Sequence, residues 1–73
     1  MLTIADKPKN AMGVESLLWD NLIETDYEIL MGTQHNSWVC LMEARRYMRD
    51  YKLEHFDELH AQVFDRYIEK FVK

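Results

Sequence analysis

The side chains best suited to bind a charged ligand are cations near the middle of the chain. Arg45, Arg46, Arg49 and Lys52 fall within the stretch EARRYMRDYK. On a helix, Arg45 and Arg49 share one face and Lys52 continues it, so they form a basic ridge with Arg46 to one side. Guanidinium groups bind phosphate and carboxylate well, which makes the ridge a candidate contact for nucleic acid or for another protein.

The overall charge argues against nucleic acid as the ligand of this ridge. Thirteen aspartates and glutamates outnumber nine lysines and arginines, so the formal net charge is −4 at pH 7. DNA binding draws mainly on the neutralisation of phosphates, and a net acidic domain weakens that attraction. The ridge is therefore interpreted as a solvated helix face with local ion pairs or as a protein contact. Direct nucleic-acid binding is not expected.

A second charged feature is an acidic belt in the first half of the chain. Residues 15–28 contain five carboxylates and no lysine or arginine. The acidic belt consists of Glu15, Asp20, Glu24, Asp26 and Glu28. Such a patch attracts basic segments of a partner, or occupies a surface that normally receives phosphate. Solubility is the simpler alternative.

Trp19 falls off the apolar stripe of its predicted helix and lies next to Asp20, so it is predicted to be an exposed anchor for a partner. Together the two charged features give a predicted set of partner-binding residues. This set is Trp19, Asp20, Glu24, Asp26, Glu28, Arg45, Arg46 and Arg49.

Patterns typical of catalysis or metal binding are weak. Cys40 lies in the apolar stretch WVCLM, and such a setting raises a thiol pKa and reduces its reactivity. His55 and His60 are five residues apart, whereas a helical zinc pair needs a spacing of four. The sequence also lacks a glycine-rich phosphate loop. We therefore expect no enzyme activity, no cofactor and no metal.

The length limits both architecture and stability. Seventy-three residues make one domain, and a domain of this size is stable by only a few kcal/mol. The single cysteine rules out an internal disulfide and fits a reducing compartment. No apolar run approaches the roughly 20 residues of a membrane span, and the opening lacks the pattern of a secretion signal. A monomeric cytoplasmic protein without membrane contact is expected.

Residues 1–13 are predicted to form a flexible N-terminal arm before a single helical domain at 14–73. Pro8 has no amide donor and restricts the residue before it, so a helix cannot continue through the arm. Alternating apolar residues leave a short edge strand at 2–5 as an alternative.

Apolar residues recur at helical spacing over 14–24 and predict a first helix there. The segment 27–38 is compatible with two structures. In one, it is a β-hairpin around Gly32. In the other, the first helix continues to Met31 and ends at Gly32, a residue type that commonly follows a helix. A helix or a loop is favoured, because an isolated hairpin is marginal in water.

The second half of the chain predicts two further helices. Asn36 or Ser37 is suited to cap a helix over 38–51. The clearest pattern covers 54–72, with acids at its start and lysines at its end, as the helix dipole favours. The predicted fold class is mainly α, a small three-helix domain with a short β-hairpin or N-terminal edge strand as a variant. The predicted core is Leu17, Leu18, Leu22, Leu41, Met48, Phe56, Leu59, Val63, Phe64 and Tyr67.

The opening MLTIADKPKN, the length and the helical second half resemble small phage-encoded RNA polymerase inhibitors, of the kind made by a lytic Xanthomonas phage. The similarity extends over the whole chain but contains no signature motif. It implies a protein that binds the β′ N-terminal region and the β flap of bacterial RNA polymerase in the host cytoplasm. It also implies interference with σ-factor engagement and promoter opening, together with antitermination. It assigns no contact to any individual residue.

Two functions of other classes stay open at this point. A small helix-turn-helix-like DNA-binding regulator would use Arg45, Arg46 and Arg49. An inhibitor of a host defence nuclease would use the acidic belt as a phosphate mimic. The function that charge layout, size and resemblance favour together is a non-enzymatic, protein-binding inhibitor of transcription.

Overall fold

Three α-helices and one short 3₁₀ turn make up the described part of the chain. The computed structural model describes residues 2–53 and 56–73. Its elements are the 3₁₀ turn Ile4–Asp6, α1 (Val14–Leu30), α2 (Gln34–Tyr51) and α3 (Asp57–Phe71). The mainly α, three-helix fold class is confirmed, and neither of these two segments contains a strand.

The N-terminal arm forms the 3₁₀ turn and packs against α1. The Thr3 amide donates to the carboxylate of Asp6 (N–Oδ2 2.8 Å), and the Leu2 amide donates to that of Asp26 (N–Oδ2 2.6 Å). These side-chain acceptors bind amides that an edge strand would need for pairing. The alternative of a strand at 2–5 is therefore wrong.

Helix α1 continues beyond residue 24 and ends in a turn at Gly32. Gly32 has a φ of 83°, a left-handed conformation that glycine adopts without strain. Its amide donates to the Ile29 carbonyl (3.1 Å), and the Thr33 amide donates to the Glu28 carbonyl (2.9 Å). These two bonds form the Schellman motif that closes many helices. Of the alternatives left open for 27–38, the helix that ends at Gly32 is confirmed and the hairpin is wrong.

Helix α2 begins at Gln34, four residues before the predicted start. Ser37 is fully buried inside the first turn, where its hydroxyl donates to the Thr33 carbonyl (2.6 Å). Thr33 therefore occupies the N-cap position. The predicted cap at Asn36 or Ser37 is wrong, because the tight turn at the end of α1 brings the chain into the next helix sooner.

The connection from α2 to α3 turns at Lys52, which has a left-handed φ of 55°. The Leu53 amide donates to the Met48 carbonyl (3.0 Å) and closes α2. Helix α3 follows from Asp57, and the predicted start at Glu54 lies outside the described residues. The three helices thus stand in sequence with short connections, as expected for neighbours in a small helical domain.

The hydrophobic core lies where the three helices meet. Seven of the ten predicted core residues are buried, and Leu59 and Phe64 are partly buried against them. The buried apolar side chains are Leu18, Trp19, Leu22, Ile29, Leu41, Ala44, Met48, Phe56, Val63 and Tyr67.

Leu17 is the predicted core residue that the structure places outside. Its side chain is 68% exposed. At about 100° per residue, the buried positions of α1 fall within an arc of roughly 120° that runs from Thr25 to Trp19, and Leu17 lies outside that arc. The predicted helix over 14–24 did not include Ile29, which lies on the true inner face. Its predicted inner face was therefore rotated toward Leu17.

Candidate partner-binding surface

The acidic belt does not form one exposed patch, because Asp26 is buried. Asp26 is 2% exposed. Its carboxylate accepts the Leu2 amide at 2.6 Å, and Arg66 Nη1 lies 3.1 Å from each of its two oxygens. A buried carboxylate of this kind needs such partners to offset its lost hydration. The prediction of an exposed contact at Asp26 is wrong, since this side chain joins the arm, α1 and α3.

Asp20 is exposed, but it also has a partner within the fold. Lys7 Nζ lies 2.8 Å from Asp20 Oδ1, and the two side chains are 20% and 51% exposed. The lysine comes from the N-terminal arm, so the pair is a second link between that arm and α1. A partly exposed ion pair contributes little stability, but it lowers the negative charge that Asp20 presents to a partner.

Two glutamates of the belt remain at the surface beside Cys40. Glu24 is exposed and Glu28 is half-buried. Burial raises the pKa of the Cys40 thiol, a hydrogen bond with Thr25 lowers it, and the negative charges of nearby glutamates, Glu24 foremost, raise it further. The acidic surface that survives folding is therefore smaller than predicted and lies along the α1–α2 seam.

Trp19 is a core residue and not an exposed anchor. It is 8% exposed, and its ring meets Phe56 edge-on with centroids 5.6 Å apart and planes at 68°. This T-shaped arrangement is a favourable geometry for aromatic pairs. The prediction of an exposed anchor at Trp19 is wrong for the same reason that Leu17 was misplaced: the inner face of α1 is rotated toward Trp19.

The three predicted arginines lie on the surface of α2, as the basic ridge requires. Arg45, Arg46 and Arg49 are all exposed. The ion pair found at this ridge is a long one, with Arg49 Nε 3.5 Å from Asp50 Oδ1 on an adjacent, well-exposed residue. Exposed ion pairs of this kind contribute almost nothing to the free energy of unfolding. The structure thus presents these guanidinium groups to solvent, where a partner can reach them.

The arginines line an open groove where the end of α2 faces the start of α3. The groove has a volume of about 550 Å³, within the roughly 300–1,000 Å³ typical of ligand sites. Of its described lining residues, four carry positive charge and one carries negative charge. We call it the basic groove, lined by Met42, Arg45, Arg46, Met48, Arg49, Lys52 and Asp57.

Two tyrosines on the other flank of α2 add an exposed aromatic surface. Tyr47 and Tyr51 are 50% and 56% exposed and stack with centroids 6.1 Å apart. Tyr47 also borders a small apolar depression with Leu17 and Val14 of α1. Neither tyrosine is among the partner-binding residues predicted from the sequence. Their spacing of four residues, flanked by arginine and aspartate, was the available signal.

His60 has a structural contact. Its Nε2 donates to the Leu41 carbonyl at 2.9 Å and ties α3 to α2. The described residues include no group of three histidine, cysteine, aspartate or glutamate side chains placed to share a metal ion. Within residues 2–53 and 56–73, no helix has the combined length and apolarity needed to cross a bilayer.

Comparison with known proteins adds no assignment to this surface. The chain matches no family model, and no curated protein or solved structure shows significant similarity to it.

Proposed function

We propose that this protein is a non-enzymatic regulator that acts by binding another protein, with bacterial RNA polymerase as its target. The resemblance supplies the target, and the surface of α2 supplies the physical support. The observation that carries the proposal is the basic groove, in which exposed arginines lie beside the apolar side chain of Met42. Arginine, methionine and tyrosine are enriched at protein interfaces.

A protein target fits the charge distribution better than nucleic acid does. The basic groove is local, and the chain as a whole carries a net charge of −4. Long-range attraction to a polyanion would be weak, whereas a protein can present a local acidic segment to the groove and other groups to the tyrosines. Tyr47 and Tyr51 lie on the opposite flank of α2, where they add exposed aromatic area suited to a hot spot of a protein interface.

The mechanism in this proposal is competition for a surface. A small, folded domain occupies a site on the polymerase that σ factor or promoter DNA needs, so initiation is blocked without any chemical step. Arginine contacts would speed association and set specificity, and buried apolar contacts would slow dissociation. The same occupancy, maintained on an elongating enzyme, would account for antitermination. The protein would act as a monomer in the bacterial cytoplasm.

A transcription assay with purified components tests this proposal. Polymerase core, σ factor and a linear promoter template are mixed with increasing protein, which is added before or after the open complex forms. We expect inhibition that saturates near one protein per polymerase and that is weaker when addition follows promoter opening. Full-length transcripts in equal yield at every concentration would exclude the proposed inhibition.

A DNA-binding regulator is the alternative that one observation favours, namely the exposure of three arginines on a single helix. A mobility-shift series across salt concentrations separates the two functions. Binding to DNA that falls steeply with salt supports the alternative. We do not propose inhibition of a defence nuclease, because Asp26 is buried and Asp20 is paired with Lys7.

A further inference from the structure

We infer that the basic groove docks an extended, acidic peptide segment of the partner protein, with carboxylates at alternate positions. This inference rests on the proposed function as a protein-binding regulator and specifies the chemistry of the segment that is bound. It concerns the groove between α2 and α3 alone, and its ligand is a carboxylate-bearing chain instead of a nucleic acid.

The spacing of the arginines carries the geometric part of the inference. Arg45 and Arg49 are one helical turn apart, and four residues of α-helix rise about 6 Å. Two residues of an extended chain advance about 6.6–6.8 Å, and their side chains point the same way. Carboxylates at alternate positions of an extended segment therefore match the two guanidinium groups. Lys52 lies further along the groove, where its long, flexible stem can reach the next acid.

The apolar part of the groove favours glutamate over aspartate in such a segment. Met42 is half-buried and Met48 is 5% exposed, so thioether and methylene surface lies next to the cations. A glutamate can lay its two methylene groups on Met42 while its carboxylate reaches an arginine. Methionine side chains adapt their shape to such contacts, and the pairing of guanidinium with carboxylate supplies direction through paired hydrogen bonds.

The surroundings of the groove disfavour nucleic acid as its occupant. Asp57 lines the groove itself, and Glu43 and Asp50 lie beside Arg46 on the outer side of α2. Single-stranded nucleic acid is held by aromatic platforms on which bases stack. The exposed tyrosines of α2 lie on the opposite flank and do not line the groove, so bases would find no stacking partner there.

Direct titration with model peptides tests the inference. The probe is a short fluorescein-labelled peptide with glutamates at alternate positions and serines between them, and binding to the intact protein is followed by fluorescence anisotropy at low salt. The matched peptide replaces every glutamate with glutamine. We expect the glutamate peptide to bind at least about tenfold more tightly than the glutamine peptide.

Two double variants with the same charge change locate the site. Arg45→Glu with Arg49→Glu reverses two cations in the groove, and Lys9→Glu with Lys73→Glu reverses two exposed cations outside it. The first variant should bind the glutamate peptide at least about tenfold more weakly than the second. Circular dichroism confirms that both variants keep the helical fold of the natural sequence.

Several results would overturn the inference. These are equal binding of the two peptides, equal effects of the two double variants, no binding of the glutamate peptide at low salt, or tighter binding of an oligothymidylate probe than of the peptide. Polymerase capture separates this failure from failure of the proposed function. If the Arg45→Glu, Arg49→Glu variant still binds and inhibits polymerase, the function stands and the groove is not its docking site.

Discussion

The acids of α1 and the arginines of α2 are charged residues on neighbouring helices, yet the fold treats them differently. Asp26 is buried against Arg66 of α3, and Asp20 is paired with Lys7 of the arm. Arg45, Arg46 and Arg49 remain exposed around an open groove. Two of the five acids thus join elements of the protein, while the three arginines are exposed to solvent.

This difference shows that charge density along a sequence does not by itself mark a binding surface. Asp26 meets a cation 40 positions away in the chain, and Asp20 meets one 13 positions away. Partners at such distances are set by tertiary packing and cannot be read from local spacing. A charged cluster points to a partner outside the molecule when the fold leaves it without strong internal compensation, as at the basic groove.

The largest expected effect on stability tests whether the Trp19 side chain lies in the core. Trp19→Ala should lower the free energy of unfolding by about 3–5 kcal/mol, because it removes a buried ring from the contact with Phe56. That loss would unfold much of a domain this small. Urea denaturation followed by circular dichroism measures it.

Trp19→Phe is the matched control for this change. Trp19 Nε1 is buried and has no hydrogen-bond partner among the described residues, so losing that N–H removes no stabilising bond. The cost should stay below about 1.5 kcal/mol. An alanine variant as stable as the natural protein would place Trp19 outside the core.

The next effect tests the role of Asp26 as a link between elements. Asp26→Ala should cost about 2–3 kcal/mol of unfolding free energy, since it leaves the Leu2 amide and Arg66 without their acceptor. The value is below that of a fully buried pair because the Arg66 side chain is 38% exposed. Chemical denaturation of the variant gives the measurement.

Glu24→Ala provides the comparison within the same helix. Glu24 is exposed, so its removal should change the unfolding free energy by less than about 0.5 kcal/mol. Equal losses for the Asp26 and Glu24 variants would contradict the distinction between an acid used by the fold and an acid left at its surface.

A smaller effect is expected at Leu17, where the sequence pattern and the structure disagree. Leu17→Ser should change the unfolding free energy by less than about 1 kcal/mol, whereas Leu22→Ser should cost several times more because Leu22 is fully buried. Thermal melts of the two variants side by side decide the matter. A larger loss at Leu17 would support the inner face that the apolar spacing alone predicts.

The smallest expected effect is on the reactivity of Cys40, whose thiol lies near the glutamates between α1 and α2. Burial and the negative charges of Glu24, Glu43 and Glu28 raise the pKa of its thiol. Alkylation by iodoacetamide near pH 8 should therefore be slower than that of a free thiol, and Glu24→Gln with Glu43→Gln should speed it modestly. A rate equal to that of free cysteine would contradict this environment.

The raised thiol pKa also sets the sign of a pH effect on stability. The folded state favours the neutral thiol of Cys40. The contribution of this thiol to the free energy of unfolding is therefore fully present below the unfolded pKa of about 8.5. It is lost as the pH rises through the higher pKa of the folded state. Replacing Cys40 with alanine should flatten the decline in unfolding free energy above that pH.

Most of the fold could be predicted from the sequence because its signals are local. Helical spacing of apolar residues located three helices, and Gly32 marked the end of α1 in the alternative that proved right. The predicted start of α2 was too late, because serine is a common cap residue and Ser37 was predicted to be one. Ser37 in fact lies inside the helix, where its hydroxyl donates to the Thr33 carbonyl. Cap-forming residues are also tolerated inside helices when they bond backward in this way.

The candidate site was predictable only in part. The arginines of α2 and the residues of α1 differ in this respect for a physical reason. The exposure of the arginines was predictable because residues on the outer side of a helix stay exposed whatever packs on the inner side. Trp19 and Asp26 were misplaced because their burial depends on the true length of α1 and on Arg66. The basic groove itself needs the approach of α3 to α2, which no local pattern encodes.

The most direct test of this account is the affinity of purified bacterial RNA polymerase for two charge-reversed proteins. One carries Arg45→Glu with Arg49→Glu in the basic groove, and the other carries Glu24→Lys with Glu28→Lys on α1. We predict that the groove variant loses at least about tenfold in affinity and that the α1 variant stays within about threefold of the natural protein. Loss of binding in the α1 variant, with the groove variant unaffected, would contradict the account.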